Sequence, residues 1–303
     1  VAARARRHEA AGLGGARVAE NVGGGYYSTA EAFAGWRASG GHDANLRMAE
    51  ATRFGIALAK NPQSQYRAWW ALIVAGDPAP SSAEWRPIAP GVELSRISIE
   101  PSDPRGAARI VVVRVDPRSF ELVLVGQTAT GESTGLSARE WAQGHELAIA
   151  TNAGMFGQDY TTHLGYTEYR GRIDSSRINQ YQSVAAFDPR DPAKHPPFRI
   201  FDLDEPGVSV ASIRKDYASL VQNLRLIKRP GVNRWSEQGQ KWSEAALGED
   251  EAGRILFVYS QTQHSMQDLV RVLLTSGIGI VAAQHLEGGR LAQLYLKLGD
   301  VEL

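Results

Sequence analysis

Two short stretches of this chain carry residue types suited to chemistry on a polar, uncharged group: Asn152-Ala153-Gly154 and His285-Leu286-Glu287-Gly288-Gly289. Asn152 offers two donors and an acceptor without charge, and Gly154 lets a ligand approach the backbone closely. Both follow Leu147–Thr151, an apolar run that reads as a buried strand, so an amide and bare backbone meet at a strand end. Glu287 follows a second buried-type run, Ile278–Ala283, and precedes Gly288-Gly289, which reads as a carboxylate on a tight turn. If both strand ends lie at one sheet edge, an acid/base group faces a sugar-binding amide. Cleaving a sugar from a phosphate suits so small a set, because the phosphate already leaves well and a strong general acid is dispensable. What remains is to stabilise an oxocarbenium-like state and to activate water. His285 flanks Glu287 and could hold it by a hydrogen bond, with cations near the phosphate completing the site. Asp159 reads as a loop carboxylate, the one that would hold a divalent cation such as calcium or magnesium if one were used; no cofactor and no structural metal are otherwise expected. His163 and His264 read as surface or hydrogen-bonding residues. Trp235 and Trp242, either side of the polar stretch 236–241, read as core packing or as sugar-stacking rings.

Composition bounds the rest. Over 303 residues, 33 Lys and Arg balance 33 Asp and Glu, so no global field holds a phosphate backbone and nucleic-acid binding is not expected. No apolar run approaches the ~20 residues that span a bilayer. With no cysteine, disulfides, thiolate catalysis and Cys-ligated metals are excluded. A start at Val1, without Met or an apolar leader, reads as a processed or trimmed product. The Arg4-Ala5-Arg6-Arg7 cluster reads as a solvated helix face.

The elements that must position the site divide at Gly76-Asp77-Pro78-Ala79-Pro80-Ser81-Ser82, which should continue neither a helix nor a central strand. The expected organisation is residues 1–76, a linker 77–84, and residues 85–303. In the first part a helix starts at Ser28 and ends at Gly40-Gly41, and strands 53–59 and 66–74 form a hairpin about Asn61-Pro62. The second part reads as strands 93–100, 109–115, 121–125, 147–151, 183–187, 224–227 and 254–259. A short helix at 137–143 and an amphipathic helix at 266–275 complete it. Many strands with few helices argue an α+β fold with a mixed sheet and one βαβ unit near the C-terminus.

Residues 17–74 resemble the CAP (cysteine-rich secretory, antigen 5, pathogenesis-related) superfamily in a partial, cysteine-free form. The likeness rests on Ala19-Glu20-Asn21, the spaced residues Trp36, Ser39, His42 and Asn45, then Ala51–Ala57 and Trp69-Trp70-Ala71-Leu72. It implies an α-β-α sandwich with Glu20 and His42 in a polar cleft. No room remains before residue 17 for that family's long N-terminal helix, so Glu20 and His42 are expected to bond each other and brace the fold without metal. A removed segment or a second molecule would then complete the sandwich.

Residues 85–303 resemble the phosphodiester glycosidase family. The motifs are Thr151–Phe156 with Leu164-Gly165, Gln222-Asn223-Leu224-Arg225-Leu226, Ala245–Gly248, the Ser265-Met266 helix start and Leu286-Glu287-Gly288-Gly289. The resemblance implies hydrolysis of a sugar phosphodiester in an envelope glycan or glycolipid by a periplasmic or secreted bacterial protein. It implies Glu287, His285 and Asp159 as catalytic candidates. Asn152, Gly154, Asn223, Arg225, Lys241, Gly288, Gly289 and Arg290 become substrate-binding candidates. The chain departs from the family's Leu-Asp-Gly-Gly-Gly-Ser at Glu287 and Arg290, and Glu244 stands where the family places an Arg; Lys241 or Arg290 could substitute as the phosphate clamp. The alternative from another class is a non-catalytic extracytoplasmic glycan-binding protein.

Overall fold

The computed structural model describes residues 16–49, 51–78, 83–98, 109–126, 130–131, 135–236 and 239–303. The Arg4–Arg7 cluster and residues 79–82 of the expected linker lie outside these. The chain divides into two compact units, Val1–Ser81 and Ser82–Leu303.

The first unit is a three-stranded antiparallel sheet in which β3 (Ala68–Pro78) lies between β1 (Ala16–Gly24) and β2 (Ala51–Lys60). Helix α1 (Thr29–Arg37) begins where Ser28 accepts a hydrogen bond from the Glu31 amide. Its Ala32 and Trp36 pack with Trp70, Leu72 and Val74 of β3. The Gly40-Gly41 pair opens a second helix, α2 (Gly40–Leu46), instead of ending the first; α1 stops earlier, at Arg37. Strand β3 runs through Pro78, past the expected boundary at residue 76. Pro78 pairs with Ala16 of β1, whereas β2 reaches only Gly76, so the missing N–H of proline has an open side to face. On β2 the row Phe54, Ile56 and Leu58 continues the apolar face of β3, yet Phe54 remains 76% exposed.

In the second unit two sheets pack face to face. The larger, in spatial order, is β13 (Arg225–Ile227), β16 (Ile280–Gly288), β14 (Trp242–Asp250), β15 (Ile255–His264), β6 (Arg109–Val115), β5 (Val92–Ser98) and β4 (Arg86–Ala89). The smaller is β11 (Phe198–Asp202), β10 (Ser183–Pro189), β12 (Tyr217–Asn223), β8 (Thr167–Tyr169) and β9 (Arg172–Ser175). Helix α5 (Met266–Thr275) covers the outer face of the first through Leu269, Val270 and Leu273 against Ala246, Leu256 and Val258. Helix α4 (Val210–Asp216) covers the outer face of the second through Val210 and Ile213 against Val184, Ala186 and Leu220. Strands buried on both faces need apolar residues at successive positions, which is why β10 reads Val184-Ala185-Ala186-Phe187 rather than alternating. A short antiparallel set, β7 (Ile149–Thr151), β17 (Leu294–Leu298) and β18 (Val301–Glu302), lies beside helix α3 (Ala138–Gly144).

Three sequence expectations are corrected here. Every ladder among the described residues is antiparallel: β15 and β16 do run the same way around α5, but β14 sits between them and pairs with both, so no mixed sheet results. Residues 121–125 form no strand. Phe120, Leu122 and Leu124 do alternate inward, but burial alone sets that period, and a strand also needs a ladder partner. Finally, Glu287 is not on a turn: β16 continues through Gly288, and the turn is the 3₁₀ segment Gly289–Leu291.

Candidate active site

The Asn152 segment is built by its neighbours across the chain. Asn152 Nδ2 donates to Leu291 O at 3.0 Å, its Oδ1 accepts from Gln293 N at 2.8 Å, and Thr151 Oγ1 donates to Gln293 O at 2.8 Å. Asn152 is therefore a brace that fixes the far end of the Gly289–Leu291 turn. Gly154 lies where a Cβ would sit 2.1 Å from Asn223 Oδ1 and 2.3 Å from His163 Nε2, so the close approach of those side chains requires glycine. Asn223 Nδ2 donates to Ala153 O at 2.9 Å, which leaves its Oδ1 as an acceptor 3.3 Å from His163 Nε2. The other ring nitrogen, Nδ1, lies 2.9 Å from Gly165 O and 2.6 Å from the Thr167 hydroxyl, so both nitrogens are engaged. Burial lowers the His163 pKa, in keeping with a neutral ring. Asp159 is held below the usual carboxylate range by hydrogen bonds from the Thr162 hydroxyl and from the Thr162 and Thr161 amides. Asn152, Gly154, Asp159 and His163 all line one cavity between the two sheets.

A second group gathers at the end of β14 and β16. Glu244 and His285 are buried, with His285 Nδ1 2.5 Å from Glu244 Oε1. Burial raises the Glu244 pKa, with the His285 bond and a further one from Trp242 opposing it. A bulge then shifts the register: His285 stands opposite Ala246 and Glu287 opposite Ala245, with Leu286 as the extra residue. Glu287 is half-buried and its pKa is raised, chiefly by burial, against the Gly288 amide that donates to Oε1 at 3.0 Å. Ser243 Oγ donates to Gly289 O at 2.6 Å, and Trp242 packs so closely on Gly288 that a Cβ there would lie 2.9 Å from the indole. Lys241 and Arg290, at the two edges of this junction, are exposed and form no ion pair among the described residues. Carboxylate, two cations and an aromatic ring thus share one strand end, a set able to hold a phosphate, stack a sugar and accept a proton.

Other expected residues fall elsewhere. Arg225 is held by Asp202 at 3.3 Å and Asp204 at 2.7 Å, so its charge is already matched. In the first unit His42 Nδ1 lies 3.0 Å from Ser39 Oγ. Asparagines brace this region: Asn45 Nδ2 donates to Asn21 Oδ1 at 2.8 Å, and Asn21 Nδ2 donates to His42 O at 3.0 Å. Glu20 is engaged as well. No group of three His, Asp or Glu side chains among the described residues is placed to hold a metal ion. Sequence reasoning missed Gln284 and the pairing of Glu244 with His285. The signal for Gln284 was present, a polar residue inside the apolar run of β16.

The sequence model of the phosphodiester glycosidase family matches residues 145–302, more than half of the chain, and the chain belongs to that family. No curated protein matches it. Among solved structures it resembles the catalytic domain of zebrafish N-acetylglucosamine-1-phosphodiester alpha-N-acetylglucosaminidase, auto-inhibited by its pro-peptide. That likeness has 16% identity and a TM-score of 0.51 and covers 73% of this chain and 80% of that one. A hypothetical protein from Synechocystis aligns at 15% identity over 82% of this chain and 65% of that one, with a TM-score of 0.49. At 16% identity the zebrafish likeness is one of fold. The family match starts at residue 145, so the CAP-like resemblance of residues 17–74 rests on its motifs alone.

Proposed function

We propose that this protein hydrolyses the bond between a sugar and a phosphodiester at the Glu287 strand end. Water attacks the anomeric carbon, the bond from that carbon to the phosphate oxygen breaks, and the phosphate leaves with the electron pair. Glu287 takes the proton from water, while Arg290 and Lys241 neutralise the phosphate charge and Trp242 offers a face to the sugar. The observation that carries this reading is the half-buried Glu287 carboxyl, raised in pKa, near the end of β16, in a member of the phosphodiester glycosidase family. Glu244 stands where the family places an Arg, and a carboxylate repels phosphate, so the clamp falls to Lys241 and Arg290. An envelope glycan or glycolipid as substrate, and a periplasmic or secreted location, extend the reading along the resemblance; so does a CAP-like role for the first unit. Release of free sugar from a chromogenic sugar phosphodiester tests the activity directly.

The second reading, glycan binding without catalysis, is favoured by one fact: Glu287 is not among the residues lining the large cavity. Saturable glycan binding with no sugar released from any phosphodiester would establish that reading instead.

A further inference from the structure

The two sheets of the second unit meet firmly at one end and separate toward the other. At the closed end Glu249 of β14 accepts from Ile200 N of β11 at 2.7 Å, and Gln284 Nε2 of β16 donates to Val221 O of β12 at 3.1 Å. Beyond these ties lies a cavity of about 1220 Å³, somewhat larger than the ~300–1,000 Å³ usual for small-ligand sites. Its body is hydrocarbon. Leu247 and Phe257 project into it from strands in the middle of the larger sheet and remain only half-buried, where central strands of a closed sandwich would be covered. Ala185, Phe187 and Val221 of the smaller sheet line it too, with Ile149, Phe120, Leu122 and Leu124.

One end of the cavity is polar. Asn152, Asp159, Thr161, His163 and Asp174 belong to it, Glu121, Glu140 and Glu146 also reach the lining, and no Lys or Arg lines the cavity among the described residues. Gln284, fully buried, stands behind the same wall with its Nε2 donating to Val221 O. Carboxylates and amides suit hydroxyl groups, and the carboxylates repel an anion.

We propose that this cavity binds an uncharged amphipath: a hydrocarbon chain between the sheets, ending in a sugar or similar polyol at the Asn152–Asp159–His163 end. Such a ligand would occupy the space whether or not its glycosidic bond is cleaved, so this site goes beyond the hydrolytic reading. The probe is dodecyl maltoside, kept below its micellar concentration and titrated into the full chain by calorimetry. The expected result is one site per chain, with maltose alone and dodecyl phosphate each binding at least about tenfold more weakly. Leu247→Trp, which fills the body of the cavity, should weaken binding by at least about the same factor. Hydrogen exchange on the wild-type chain gives a readout independent of any variant. Dodecyl maltoside should slow exchange in residues 120–126 and 149–154. Binding of maltose as tight as that of the alkyl glycoside would overturn the hydrocarbon site, and equal binding of dodecyl phosphate would overturn the uncharged head. Absence of both heat and protection would overturn the proposal entirely.

Discussion

At the scale of single residues, Glu287 and Glu244 differ in what burial does for them. Glu287 is half-buried with its proton-accepting oxygen near the surface turn, so a raised pKa brings it closer to working pH as a base. Glu287→Gln keeps the shape and an acceptor for the Gly288 amide, and should lower turnover by about 10²–10⁴-fold. Its effect on stability has a definite sign. Because the folded pKa lies above the unfolded one, the stability linked to the bound proton is present below the unfolded value and is lost as pH rises through the folded value. Glutamine cannot ionise, so the variant should match the wild type near pH 4 and be the more stable protein at pH 7. Equal urea midpoints at both pH values would contradict this. Glu244, by contrast, is fully buried and accepts from or donates to His285 at 2.5 Å. Glu244→Leu strands the imidazole Nδ1 in a dry site, and should cost about 1–3 kcal/mol by denaturant unfolding.

At the scale of elements, glycines decide which segments can approach. Gly154 faces the tips of two side chains, Asn223 Oδ1 and His163 Nε2, whereas a Cβ on Gly165 would lie 2.1 Å from Gln222 O in the backbone of β12. Side-chain tips can turn aside; a paired strand cannot. Gly165→Ala should therefore destabilise more than Gly154→Ala, with overpacking of this kind costing about 1–3 kcal/mol. Gly154→Ala should instead show its main effect on ligand binding, because it pushes apart the Asn223–Ala153 and His163–Asn223 contacts. Paired thermal melts and titrations of the two variants separate the outcomes. The β16 bulge at Leu286 belongs to this scale too, since it puts His285 and Glu287 opposite successive residues of β14, at the cost of one unpaired residue.

At the scale of the whole molecule, the apolar clusters sort by unit. Trp36, Trp70, Leu72 and Val74 form a core within the first unit, while the α5, inter-sheet and α4 cores are built entirely from residues after Ser82. Residues 82–303 expressed alone should fold cooperatively and retain whatever sugar-releasing activity the full chain has. Insoluble or inactive product would show that the first unit contributes to the second. Length supports independence, since about 220 residues is an ordinary size for a self-sufficient domain.

Short-range signals were legible in the sequence because they depend only on neighbours along the chain. The Ser265 cap and the apolar spacing of Leu269, Val272 and Leu273 specify α5, though the buried face takes Val270 with Leu269 and Leu273, and the Val111–Val115 run specifies β6. The Asn152 and Glu287 motifs were visible for the same reason, as polar residues ending apolar runs. The location of the turn was not, because Gly288 stays in β16 only through its pairing with Glu244 on β14, forty-four residues earlier. Nor could composition tell that residues 120–125 alternate without a ladder, since the alternation is local and the partner would have to be remote. Tertiary structure alone joined Glu244 to His285, turned Asn152 into a brace for Leu291 and Gln293, and opened a cavity between sheets whose strands each read as solid core. The reason is physical: hydrogen-bond partners and the gap between two layers are set by how separate strands meet, and a one-dimensional pattern of apolar residues is the same whether that gap is closed or open.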